Sequence, residues 1–218
     1  MKHSLLSLFL FLLVAPTAAA DWPADLPKEG ECVVCARRGA DHGAERLVDW
    51  REYEGDHFGF CAEGCAEAFD QMPAGYAPPV LPRTAPDFRW SALDGEAIEP
   101  TGQNALLVDF WATWCTPCLK VMPELDALAR EFGDAGFDVV GVSIDEDRDD
   151  LESFLERRPV DYAIVHDGGE DPAWWKFRVP AIPAAFLLDA EGRIVAQWNG
   201  EIDTDELRTR VEELVAKD

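Results

Sequence analysis

Val108 to Pro123 reads V-D-F-W-A-T-W-C-T-P-C-L-K-V-M-P. The apolar run Ala105 to Phe110 enters it as a strand. After the second cysteine, Leu119, Met122, Leu125 and Leu128 recur at helical spacing, with Pro123 inside the helix. Cys115 and Cys118 therefore stand at a strand-to-helix junction. The first thiol meets the positive end of a helix, which stabilises the thiolate, the nucleophile of disulfide exchange. The second lies one turn further in, so the two can close into a disulfide. On spacing alone, half of a zinc site or a structural disulfide remain alternatives.

The frame F-W-A-T-W-C-T-P-C, the helix proline and the downstream V-P-A-I-P-A-A-F-L-L-D resemble the thioredoxin superfamily. Within it the chain is most similar to the exported TlpA/ResA-like branch, over roughly Arg83 to Asp218. The resemblance implies that Cys115 is the nucleophile, Cys118 the resolving thiol and Asp109 a buried acid beneath them. It also implies a cis bond before Pro183, which would leave the backbone of Ile182 to pair with an extended substrate chain. Trp114, Thr116 and Pro117 join Ile182 as expected substrate contacts, and Pro117 stiffens the turn by removing a backbone donor. Trp111 reads as core.

Asp109 stands in an apolar strand six residues before Cys115. Desolvation there raises a carboxyl pKa, so the group can exchange protons near neutral pH and take the proton of Cys118. The alternative is a carboxylate bonded to the sheet with no role. Many chains of this branch carry asparagine at the position, so the aspartate leans toward thioredoxin itself.

Met1 to Ala20 has a lysine near its start, the apolar run Leu5 to Val14, and Ala18-Ala19-Ala20. This pattern reads as a cleaved secretory signal ending before Asp21, the alternative being an uncleaved anchor and the only membrane contact expected. The apolar core is shorter than the ~20 residues that span a bilayer. The mature chain is expected to be exported, most simply to a periplasm, where disulfide chemistry is possible. The formal charge of the full sequence, -24 from 43 acidic and 19 basic residues, disfavours nucleic acid and anionic membranes as partners.

The other four cysteines fall in Glu31 to Tyr76: C-V-V-C at Cys32 to Cys35, then Y-E-G-D-H-F-G-F-C-A-E-G-C ending in Cys61 and Cys65. If Ala62 to Gln71 is a helix, Cys61 and Cys65 share its first turn. A cysteine knuckle opposite such a pair suits a tetrahedral thiolate site, and a segment this small needs a cross-link of some kind. Cys35, Tyr53, Gly55, Phe60, Cys61, Cys65, Phe69, Pro73 and Tyr76 resemble the YHS/TRASH family of small metal-binding modules. That family implies a metal, zinc or copper(I), held by Cys32, Cys35, Cys61 and Cys65. Two disulfides are the alternative. His57 is a further candidate ligand, read as an exposed loop histidine, and His42 is read the same way. Five prolines between Pro73 and Pro86 read as a stiff linker, with a boundary near Leu81.

Three units are thus expected: a signal peptide (1–20), a Cys-rich module with its linker (21–81) and a thioredoxin-like domain (82–218). The fold class is α/β, a thioredoxin-like sandwich with a mixed sheet. Further expected elements are an edge hairpin within Ala85 to Glu99, an active-site helix ending at Gly133, and strands near Val139, Tyr162, Ala185 and Ile194. Helices are expected at Asp149, Pro172 and Asp203, the last capped by Asp203.

The leading function is an exported reductant of protein disulfides. With no nicotinamide or flavin motif, no organic cofactor is expected and a membrane thiol transporter is the natural electron donor. Cytochrome c maturation is a setting the branch implies. The alternative is a metal-handling protein whose thioredoxin-like domain serves a copper or zinc site in a partner. A peroxidase of the related peroxiredoxin fold would need Thr where Ala112 stands.

Overall fold

The computed structural model describes residues 21–38, 43–79, 81–169 and 172–216. The expected signal segment and His42 lie outside them.

β1 (Glu29–Gly30) pairs antiparallel with β2 (Glu45–Arg46), and α1 (Val33–Arg37) starts directly after Cys32. β3 (Asp49–Tyr53) and β4 (Asp56–Phe60) form a hairpin turning through Glu54 and Gly55, with φ of 54° and 91°. Two left-handed residues give a turn whose twist matches its strands. α2 (Glu63–Gln71) and α3 (Pro73–Tyr76) close the unit over buried Val34, Leu47, Phe60, Phe69 and Tyr76. Pro73 to Tyr76 is therefore no linker. Proline is tolerated in a helix's first turn, and Tyr76 is buried, its hydroxyl accepting from Arg38 at 2.8 Å. α3 also reaches the second half of the chain: a Cβ at Gly75 would lie 2.8 Å from the Arg178 carbonyl oxygen.

β5 (Arg83–Thr84) begins the larger unit, and β6 (Trp90–Ser91) and β7 (Ala97–Ile98) form the expected hairpin. The hairpin is a ribbon of its own rather than an edge of the main sheet, tied to it by Leu93 N–H donating to Ile164 O at 2.8 Å. Phe88 stacks on Trp90 beside Phe177, so aromatic packing decides its place.

The decisive strand, β8 (Ala105–Trp111), is buried at every residue, as an apolar run of both parities requires. After it come α4 (Thr116–Phe132), β9 (Phe137–Ser143), α5 (Arg148–Arg157), β10 (Ala163–His166), α6 (Ala173–Lys176), β11 (Ala184–Asp189), β12 (Arg193–Asn199) and α7 (Thr204–Val215). The six-stranded sheet runs β10-β9-β8-β11-β12-β5; β8, β9 and β10 are parallel, and β11, β12 and β5 join antiparallel.

Alternation along β8 separates two cores. Leu107 and Trp111 pack with Cys118, Met122 and Leu125 of α4, Leu151 of α5 and Leu207 of α7. Leu106, Val108 and Phe110 pack on the other face with Phe88, Phe177 and Phe186. α4 ends at Phe132 with Gly133 as its C-cap, as expected; Gly133 is right-handed and opens a 3-10 turn, and the left-handed residue is Gly136, φ 82°. Asp203 caps α7 as expected, accepting from Glu206 N–H at 2.9 Å. Among the described residues no helix is long and apolar enough to cross a membrane.

Candidate active site and thiolate cluster

Cys115 is the N-cap of α4 and forms a disulfide with Cys118 (S–S 1.99 Å, Cα–Cα 5.3 Å). The two sulfurs are not equivalent. Cys118 is fully buried, Cys115 is 5 % exposed, and the Cys118 N–H donates to Cys115 Sγ at 3.3 Å. Once the disulfide is reduced, the outer sulfur is the one that both reaches a partner and has a helix N–H to stabilise its thiolate.

The turn before it is held by residues the sequence reading missed. Asp145 is buried and accepts from Thr113 N–H (3.0 Å), Thr113 Oγ1 (2.7 Å) and Ser143 Oγ (2.7 Å). Its place just after a buried strand, in V-S-I-D, was the available signal. The β8–β9 pairing that brings it to Thr113 spans 32 residues of sequence.

Asp109 has the same parity as Leu107 and Trp111, and so lies on the α4 face of the sheet beneath the cysteines. It is completely buried, its neighbours in register are Gly141 and Ala185, and neither carboxylate oxygen has a partner among the described residues. Burial pushes its pKa up to about 7.

The Ile182–Pro183 bond is cis. Ile182 packs its side chain against both cores, and no backbone hydrogen bond involves it among the described residues. Pro183 and Pro117 line one open groove of about 630 Å³, whose rim carries Lys120, Glu124, Glu201 and Asp203. Trp114 is 66 % exposed beside Cys115, whereas Trp111 is fully buried, as expected for core. Trp175 of α6 is also exposed, and Trp174 is partly buried against the aromatic core.

The four remaining cysteines are free and converge: their Sγ atoms all lie within 4.8 Å of one another. Cys35 is 3.6 Å from Cys61 and 3.8 Å from Cys65, and Cys61 is 3.8 Å from Cys65. Ligands ~2.3 Å from a tetrahedral zinc stand ~3.8 Å apart, so the donor set fits a metal. Burial, with its neighbours' thiols adding, raises Cys61, and burial takes Cys35 up to about 11. Against the same burial, backbone hydrogen bonds at Cys61, Cys35 and Val34 hold Cys32 below its ordinary value. As thiolates, four sulfurs this close would repel one another, and a bound cation would offset that repulsion. His57 is not in the group; it lies on β4, with Nδ1 2.8 Å from Asp25 Oδ2.

Residues 82–197, more than half of the chain, match the AhpC/TSA family. The chain belongs to that family. It is 29% identical over 133 residues to the thiol-disulfide oxidoreductase ResA of Geobacillus thermodenitrificans, covering 60% of this chain and 76% of that one. ResA of Bacillus anthracis is 28% identical over 127 residues, 57% and 73% of the two chains. The crystal structure of a putative thiol:disulfide interchange protein DsbE from Chlorobium tepidum superposes with a TM-score of 0.57 at 27% identity, covering 62% of this chain and 96% of that one. The thioredoxin domain of a Bacteroides vulgatus thiol-disulfide oxidoreductase gives 0.54 at 29% identity, with 63% and 99% covered. The fold is thioredoxin-like, and with the Cys115–Cys118 disulfide the protein is a thiol–disulfide oxidoreductase.

Proposed function

We propose that this oxidoreductase reduces disulfides of exported proteins, with Cys115 as nucleophile, Cys118 as resolving thiol and Asp109 as the proton acceptor. The observation that carries the reading is the asymmetry of the pair: Cys115 reaches the surface at the helix start, while Cys118 is sealed over a buried carboxyl.

In the reduced enzyme the Cys115 thiolate attacks one sulfur of the substrate disulfide and expels the other as a thiolate. Cys118 then gives its proton to Asp109 and attacks Cys115 Sγ, closing the disulfide and releasing the second substrate thiolate; both take protons from solvent. An acceptor whose pKa is about 7 suits a thiol whose ordinary value is ~8.5 better than an ordinary carboxylate would. Ile182, with its backbone open, and the groove at Pro117 and Pro183 receive an extended substrate segment beside exposed Trp114. A membrane thiol transporter returns the electrons, and the periplasm is the compartment. Two functional units, residues 21–81 and 82–218, follow the signal.

Cys32, Cys35, Cys61 and Cys65 would hold one metal ion, which cross-links the small unit; the near-tetrahedral sulfur spacing favours zinc over copper(I). The same cluster supports a second reading, in which the enzyme prepares a metal site in a partner by reducing its cysteines. Reduction of a model protein disulfide by the mature protein, with metal analysis of the same sample, tests both. Turnover without metal leaves the first reading alone; no turnover by the reduced protein removes both.

A further inference from the structure

The α4 face of the sheet holds four buried polar atoms with no hydrogen-bond partner among the described residues: both oxygens of Asp109, Trp111 Nε1 and the Tyr162 hydroxyl. Register explains why they meet. Asp109 lies opposite Gly141 across β8–β9, and Gly141 lies opposite Ile164 across β9–β10. Tyr162 stands two residues before Ile164, and both belong to the α4-side core.

Gly141 leaves a gap in that row. A Cβ there would lie 2.8 Å from Ile164 Cδ1, 2.9 Å from Trp111 Nε1 and 3.1 Å from Tyr162 Cε2, so these three side chains fill the space over Gly141. Tyr162 also lines an outer groove of about 340 Å³ with Glu99, Arg130, Asp138 and Asp161. Tyr162 thus stands between the α4-side core and this polar groove, with its hydroxyl buried. A carboxyl that takes a proton in every turnover has to lose it again.

We propose that Tyr162 is a positioning residue for the resolving step: its hydroxyl, through buried water on either side, relays the proton that Asp109 takes from Cys118 out to the groove. The inference rests on Asp109 being that acceptor. As the Cys118–Cys115 bond forms and the Cys115–substrate bond breaks, the Cys118 proton moves to Asp109. In the same step the Tyr162 oxygen receives a proton from the Asp109 carboxyl and passes its own through buried water toward the groove, so the proton's exit is part of resolution. The electron pair leaves on the substrate sulfur, so the relay needs no further reactant.

Asp109 shares the α4 side of the sheet with the titratable Cys115, Cys118 and Tyr162, and its neighbours in register on β9 and β11 are Gly141 and Ala185. Burial, then the charges of Asp109 and Asp126, raise the Tyr162 pKa, which keeps the hydroxyl protonated for the relay. Asp126 is itself paired with Arg130 at 2.7 Å.

The test is single-turnover oxidation of the reduced full chain by a synthetic peptide disulfide, from roughly pH 6 to 9, comparing wild type, Asp109→Asn, Tyr162→Phe and Gly141→Ala. Tyr162→Phe is expected to slow the resolving step about tenfold, with mixed-disulfide formation and the thermal midpoint unchanged. Gly141→Ala, whose methyl presses on Ile164 and both rings, should slow the same step with Tyr162 in place. Asp109→Asn should remove the inflection near neutral pH. Wild-type resolving rates in both Tyr162→Phe and Gly141→Ala, with Asp109→Asn slow, would overturn the relay and leave Asp109 as the acceptor. Wild-type resolution in Asp109→Asn would remove acceptor and relay together.

Discussion

Thr113 gives both of its donors, the N–H at 3.0 Å and the hydroxyl at 2.7 Å, to the buried carboxylate of Asp145. This clasp joins the end of β9 to the turn that presents Trp114 and Cys115. Asp145→Ala leaves the Thr113 N–H and the Ser143 hydroxyl without their acceptor. It should cost about 1–3 kcal/mol for each donor that water cannot reach, read by urea denaturation. Thr113→Val removes one donor and keeps the shape, and should cost less.

Asp109 makes stability fall with pH. Its folded pKa, about 7, is above the ordinary 3.8, so the folded state binds the proton more tightly. Its contribution is most favourable below pH 3.8, declines as pH rises toward 7 and levels off above. Asp109→Asn should flatten this slope and be the more stable protein at pH 8, by on the order of 4 kcal/mol at most. Denaturant midpoints for both proteins at several pH values check this.

The buried strands were legible because β8, β9 and β11 are continuous apolar runs, and Cys115 and Cys118 because their frame is local in sequence. What depended on distant pairing was not. Asp145 acquires its meaning only when β9 lies beside β8, and Tyr162 read merely as the start of a strand. The prolines from Pro73 to Pro86 point to a linker, but Tyr76 packs with Phe69 in the small core and Pro73 to Tyr76 is helical. Gly133 ends α4 as its sequence indicates, and the left-handed turn into β9 comes at Gly136, where a Cβ would press to 3.0 Å from Asn104 Nδ2.

The thiolate cluster predicts a metal-dependent unit. Native mass spectrometry of the mature protein should find one bound ion, and chelation should speed hydrogen exchange in residues 29–76 with little change in β8, β9 and β11. Cys61→Ser should give the same loosening without chelator. Two disulfides among these four cysteines and no ion would contradict the metal.

Loss of the metal should leave the redox pair working on a generic disulfide, since Cys115, Cys118 and Asp109 lie in a core of their own. Contact at Gly75 and Arg178 should make turnover of a large protein substrate more sensitive than that of a small peptide. Comparing the two rates before and after chelation checks this.

The central claim is the division of labour between the two sulfurs, and trapping tests it most directly. Incubate Cys118→Ser and Cys115→Ser, each reduced, with a protein disulfide and analyse the products by non-reducing electrophoresis and mass spectrometry. Cys118→Ser should accumulate a covalent adduct through Cys115, and Cys115→Ser should form none and turn nothing over. Adducts on Cys118 in the Cys115→Ser protein, with turnover intact in Cys118→Ser, would contradict the account.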